Sequence, residues 1–178
     1  MHQIDIEKLN RKNFRALMRA LSMPGSIQKI TPLYGATTLA IASVLLYHEV
    51  SYFNHGMIDL SLICDINNPQ ATSLEMADYI FSDTMEQALL LGAKKGTFIN
   101  PDFSATLIFC TKEHHQTKVR LSGPGINKMQ EQILPCSPEF LATLKLKNDN
   151  VPLGIELFFI QPKNEIMALS RTTKIEVM

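Results

Sequence analysis

The chain has 178 residues, 46% hydrophobic and 19% charged, with 17 Lys/Arg exactly offset by 17 Asp/Glu. This is ordinary globular composition, long enough to bury roughly 70% of the unfolded surface, and it excludes a disordered or fibrous chain. The three cysteines, Cys64, Cys110 and Cys136, are odd in number and irregularly spaced, so they argue against a disulfide framework and for a reducing, cytoplasmic compartment.

The chain opens Met1-His2-Gln3-Ile4-Asp5 with no apolar core behind it, so it carries no signal-peptide pattern. Asn10 fits the N-cap of a helix running through Leu21, with Phe14, Leu17, Met18 and Leu21 on one apolar face. Arg11, Arg15 and Arg19 run beside that face at spacings of four. Ser22-Met23-Pro24-Gly25 stops the helix, and a short strand is expected over 26–30. The longest uncharged run, Ile30 to Tyr47, is interrupted by Pro32, Gly35, Thr37, Thr38 and Ser43, which argues against a membrane span. Within it, residues 36–47 read as a helix buried on more than one side.

Residues 57–63 read as a strand, Thr72 and Glu75 as the capping box of a short helix, and residues 79–81 as another strand. A helix over 85–91 is closed by Gly92. Residues 105–110 form a continuous apolar run, the pattern of a strand covered on both faces. Residues 118–122 alternate, as a neighbouring strand with one wetter face would. Ser137-Pro138-Glu139 is a strong helix start, with the helix running to about Leu146. Residues 153–160, 166–169 and 174–177 read as strands. The alternation predicts one α/β domain over residues 1–178, a three-layer α/β sandwich on a mixed sheet.

Several clusters carry candidate chemistry. Cys110-Thr-Lys-Glu-His114-His115 offers metal-ligand types, but lacks the paired spacing of a zinc site and sits where a strand should turn into a solvated loop. No metal is expected, and nothing marks Cys110 as a thiolate nucleophile for His114 to assist. Ser122-Gly123-Pro124-Gly125 is a glycine turn after a strand. Such turns can aim N–H groups at a phosphate, yet Pro124 removes one donor, and on spacing alone a plain tight turn is the better reading. Ser170-Arg171-Thr172-Thr173 suits an oxyanion, through a bidentate Arg and two hydroxyls. The competing reading is a hairpin turn whose Arg171 pairs with an acid of its own chain. The two threonines, where a simple turn more often has Gly or Asn, favour the anion. Glu156, an acid in an apolar strand, calls for a Lys or Arg partner.

Charge is segregated along the chain. Residues 1–29 carry six bases and two acids, residues 30–93 seven acids and no Lys or Arg, and residues 94–178 eleven bases and eight acids. Either the basic ends neutralise the acidic middle, or they converge on an anion. No reading motif or basic patch interleaved with aromatics points to nucleic acid.

Four segments in order resemble the H subunit of the bacterial carbon–phosphorus lyase system (PhnH). They are Phe14-Arg15-x-Leu17-Met18-x-Ala20-x-Ser22-x-Pro24-Gly25, Leu121-Ser-Gly-Pro-Gly-Ile126, Pro152-Leu-Gly-Ile155 and Ser170-Arg171-Thr172-Thr173-Lys-Ile-Glu176. The resemblance implies a cytoplasmic protein of phosphonate utilisation. Its fold would be similar to the large domain of pyridoxal-phosphate-dependent transferases without the cofactor, so that no Schiff-base lysine is needed. It also implies a homodimer that works with G, I, J and L subunits. In their first step a phosphonate displaces adenine from ATP, giving ribose 1-phosphonate 5-triphosphate. On this reading Arg15, Arg19, Arg171, Thr172, Thr173 and the turn holding Ser122, Gly123 and Gly125 supply contacts to the anionic ATP and alkylphosphonate. No catalytic base or nucleophile stands out, so the chain is expected to be a non-autonomous subunit. A purely architectural subunit is the alternative.

Overall fold

The computed structural model describes residues 3–110 and 115–178. Helix α1 (Gln3–Ser22) begins well before the expected cap at Asn10. Asn10 lies inside it, and its Nδ2 donates to the Ser43 hydroxyl at 2.9 Å, on helix α2 (Thr37–Leu45). The inward face is also rotated from the expected one. Leu17 and Ala20 are buried beside Asn13, whereas Phe14 and Met18 are half exposed. Asn13 takes a core position because its amide matches the backbone of Thr31, donating to the carbonyl and accepting from the N–H, both at 2.9 Å. A polar group so satisfied is cheap to bury.

The chain continues through β1 (Gln28–Lys29), α2, β2 (Ser51–His55), α3 (Ser61–Asn67), β3 (Gln70–Ala71) and β4 (Tyr79–Ser82). Then come α4 (Gln87–Gly92), β5 (Thr106–Phe109), β6 (Thr117–Ser122), β7 (Gln130–Leu134) and α5 (Pro138–Lys147). Strands β8 (Glu156–Gln161), β9 (Glu165–Leu169) and β10 (Lys174–Val177) end it. Seven strands form a mixed sheet in the order β1-β9-β8-β5-β4-β2-β3. Strands β3, β2, β4, β5 and β8 run parallel; β9 alone is reversed, pairing antiparallel with β8 on one side and with β1 on the other. The short Pro162–Asn164 connection forces the β8–β9 reversal, since parallel neighbours need a long crossover. Strands β10, β6 and β7 form a separate antiparallel sheet.

Alternate side chains of the large sheet feed two cores. Ile80, Leu107, Phe109, Leu157 and Phe159 face α4, α5 and the small sheet. Phe81, Ile108 and Phe158 face α1, α2 and α3. Helices therefore cover one face, and helices with a second sheet cover the other. Among the described residues no helix is long and apolar enough to cross a membrane.

Three expected elements are corrected. The strand placed over 57–63 is absent: β2 precedes it, and Asp59 Oδ1 accepts from the Ser61 N–H and hydroxyl at 3.0 and 2.7 Å, local bonds that start α3 instead. The helix after Thr72 shrinks to a single turn, closed by the Ala77 N–H on the Ser73 carbonyl. Strand β6 does not join the large sheet. Its one-sided burial arises because the small sheet lies across that sheet's face. Helix α5 starts as expected, with the Ser137 hydroxyl accepting from the Phe140 N–H at 3.2 Å and Pro138 at its first position.

Candidate functional site

The turn Ser170–Thr173 is not a hairpin. It carries the chain from β9 in the large sheet to β10 in the small one, because β9 pairs with β8 and β1 while β10 pairs with β6. Ser122 stands opposite Lys174 in that pairing, so the glycine turn after β6 leaves beside the 170–173 crossing. A Cβ on Gly123 would come within 2.9 Å of the Thr172 carbonyl oxygen, and one on Gly125 within 1.9 Å of that of Ser22. Glycine is needed there because two backbones touch. The Gly25 N–H in turn donates to the Ala168 carbonyl at 3.0 Å. The approach to β8 is held by Asn148, which caps the end of α5. It donates to the Ile155 carbonyl at 3.1 Å and accepts from the Ile155 N–H at 2.8 Å.

Outward of this junction lies a cavity of about 330 Å³. Ser122, Ser170, Arg171, Thr172 and Thr173 form one wall; Leu144 and Lys145 of α5, Asn148 and Asp149 just past it, and Lys174, Ile175 and Glu176 of β10 contribute others. Arg171 is already engaged. Its Nε and Nη2 lie 3.4 and 3.3 Å from Glu156 Oε1, and its Nη1 donates to the Pro101 carbonyl. Arg120, also on the lining, pairs with Glu176 at 3.3 Å and Glu131 at 3.9 Å. Lys145 and Lys174 are exposed and have no ion pair among the described residues. The Ser170 hydroxyl lies 2.9 Å from that of Thr173 and 3.3 Å from that of Thr172. The lining thus combines two ammonium groups without an ion pair, a cluster of hydroxyls, apolar side chains and two carboxylates, Asp149 and Glu176. Four cationic side chains against two acids leave it net positive, which suits a small anion carrying an apolar part.

The profile of the bacterial phosphonate metabolism protein (PhnH) family matches residues 5–176, which takes in all four motif segments. The chain belongs to that family. Membership ties it to phosphonate metabolism and the carbon–phosphorus lyase system, and to other proteins of that system. No curated protein matches it in a search by sequence.

In this PhnH-family chain the residues singled out from sequence separate into three places. Ser122, Arg171, Thr172 and Thr173 line the cavity. Gly123 and Gly125 lie in the packed junction behind it, off the lining. Arg15 and Arg19 are on the exposed face of α1, and Arg15 borders a separate groove with Arg11 and Phe14. Glu156 has the arginine partner its strand position called for. Lys145, Lys174 and Asn148 are not among the site residues expected from sequence, although Lys174 stands in the fourth motif segment. The only signal for Asn148 is its place just past the apolar stretch of α5, where Asn commonly ends a helix.

Burial pushes the Cys110 thiol up to about 11, against the smaller downward pull of a contact with the Thr38 hydroxyl at 3.5 Å. A thiol so shifted is not a nucleophile at neutral pH. His114 lies outside the described residues, and His115 is exposed. Among the described residues no three His, Cys, Asp or Glu side chains come together as a metal site would require. The cavity lining contains neither His nor Cys.

Proposed function

We propose that this chain is a non-autonomous subunit of the carbon–phosphorus lyase core complex, acting in the cytoplasm as a homodimer with G-, I-, J- and L-type partners. It supports the displacement of adenine from ATP by an alkylphosphonate, giving ribose 1-phosphonate 5-triphosphate, by holding part of the anionic reactants. The observation that carries this reading is the cavity, in a PhnH-family chain, whose lining brings Lys145 and Lys174 together with the hydroxyls of Ser122 and Thr172. Of the two acids that also line it, Glu176 pairs with Arg120, and neither lysine has an ion pair among the described residues. Charge-assisted hydrogen bonds from two ammonium groups would hold a phosphonate or triphosphate oxygen. The partner subunits supply the groups that stabilise the leaving adenine. The kinship of the fold to the large domain of pyridoxal-phosphate-dependent transferases belongs to the same proposal, with no cofactor needed in this role.

The test is adenine release from ATP and methylphosphonate by the reconstituted subunits. Lys145→Ala/Lys174→Ala should weaken ATP or phosphonate binding by about 1.5–3 kcal/mol per lost charged hydrogen bond while leaving the melting temperature unchanged. The purified chain alone should release no adenine. Undiminished release by the double variant would favour the second reading, an architectural subunit without a ligand site. One observation supports that alternative: Arg171 is committed to Glu156 and Pro101, and Gly123 and Gly125 serve backbone packing.

A further inference from the structure

We infer that the outer face of α1 docks an acidic surface of another protein of the same system, an inference that rests on the functional reading above. Helix α1 carries Lys8, Arg11, Lys12, Arg15 and Arg19 against Asp5 and Glu7. At 3.6 residues per turn the five cations fall within an arc roughly 100° wide. All five are exposed. Arg11 lies 3.9 Å from Glu7, and the other four have no ion pair among the described residues. Beside the arc stand Phe14 and Met18, one turn apart and 50% and 49% exposed. Arg11, Phe14 and Arg15 border a shallow groove of about 380 Å³ whose other wall is Ser43 and Val44 of α2. Arginine, methionine and aromatic side chains gathered on one face are the composition enriched at protein interfaces, with the aromatic as anchor.

The chain does not neutralise this face itself. Of the described ion pairs made by Lys or Arg, only Lys94–Asp78 reaches into the acidic stretch 30–93. The exposed acids Glu49, Asp59, Asp65 and Glu75 lie around β2, α3 and β3, at the β3 edge of the large sheet. Helix α1 instead packs on α2, β1 and β9, toward the opposite edge. Because the two patches lie toward opposite edges, a second copy that met α1 with its acidic edge would leave its own α1 unmet. The contact would then run head-to-tail into a ring or an open chain and not close as a two-fold dimer. A different protein with an acidic, partly apolar surface closes the contact. A phosphate backbone offers no apolar partner for Phe14 and Met18, and two apolar side chains are too few to anchor a helix in lipid.

The test reconstitutes the full chain with the G-, I-, J- and L-type subunits and measures complex affinity by sedimentation. Arg15→Glu/Arg19→Glu should weaken assembly about tenfold or more, Arg15→Gln/Arg19→Gln by less, and rising salt should weaken the unsubstituted complex. Phe14→Ala should weaken assembly without changing its salt dependence. Melting temperatures of all variants should match the parent, since these side chains are exposed. Equal assembly by the charge-reversed variant and the parent overturns the inference while leaving the functional reading intact. So does an effect seen only in self-association, or only in binding to oligo-dT or to phosphatidylglycerol vesicles. Failure of the unsubstituted chain to assemble with any of the subunits overturns the functional reading and this inference with it.

Discussion

Arg171 links three segments through one guanidinium, so removing it acts on stability before it acts on any ligand. Its loss strands the Glu156 carboxylate, which is only 22% exposed, and frees the Pro101 carbonyl. Arg171→Ala should therefore destabilise the chain by about 1–3 kcal/mol, the usual penalty for a poorly solvated group left unpaired. At roughly 2–4 °C per kcal/mol for this chain length, thermal unfolding reads that directly. Glu156→Gln, which keeps an acceptor in place, should cost less. An unshifted melting temperature in Arg171→Ala would show that the pair behaves as a solvated surface one. Gly125 offers a second measurement at this scale. Its φ of +81° and its contact with the Ser22 carbonyl make Gly125→Ala costly in both backbone conformation and space, about 2–4 kcal/mol. Gly35, at φ +80° but with nothing within 4 Å, bears only the conformational part, about 1–2 kcal/mol for Gly35→Ala. Urea unfolding should keep that order, and a reversed order would mean the 122–125 turn relaxes away from α1.

Helix α1 is fixed by Asn13 more than by its apolar row. Asn13→Ala would leave both the N–H and the carbonyl of Thr31 without partners, and should cost about 2–3 kcal/mol in denaturant unfolding. Asn13→Asp loses only the donor, yet sets a carboxylate against the Thr31 carbonyl, so it should not rescue. Indistinguishable stability of the parent and Asn13→Ala would mean that water replaces the amide. The same residue explains why the apolar period alone misplaces the buried face of α1. Phe14 and Met18 satisfy the helical period as well as Leu17 does, and what decides the buried side is a backbone partner eighteen residues away. Where the signal is local, the sequence is legible. Ser137 and Pro138 announce α5, and the apolar run over 105–110 announces β5. Strand β7, Gln-Glu-Gln-Ile-Leu, has no such signal, because its order comes from pairing with β6. The site divides in the same way. Ser122, Arg171, Thr172 and Thr173 are visible as short motifs, whereas Lys145 and Lys174 meet only because the end of α5 and the start of β10 converge in the fold.

Across the whole molecule, acid stability should report on Lys94–Asp78, among the described residues the one ion pair between the acidic middle and a Lys or Arg. Burial alone would raise the Asp78 pKa, but the Lys94 ammonium and the Ser51 N–H and hydroxyl outweigh it and hold the carboxyl below its ordinary range. The folded chain therefore takes up this proton less readily than the unfolded one. The stabilisation is complete above the unfolded value of about 3.9 and is lost as pH falls through the lower native value. Asp78→Asn should flatten the fall of melting temperature below about pH 4, and an unchanged slope would assign acid unfolding to other carboxylates. The pairing of β1 with β9 has a consequence of another kind. A ribosome delivers α1 and β1 before β9, which follows roughly 140 residues later, on the order of 10 s at ordinary elongation rates. Through that interval α2 can shield part of α1, while Leu17, Ala20 and Ile30 wait for the sheet that buries them. Helix α1 leaves the ribosome well before the strand that encloses it, which makes the nascent segment from α1 to β1 the natural client of a chaperone at the exit tunnel.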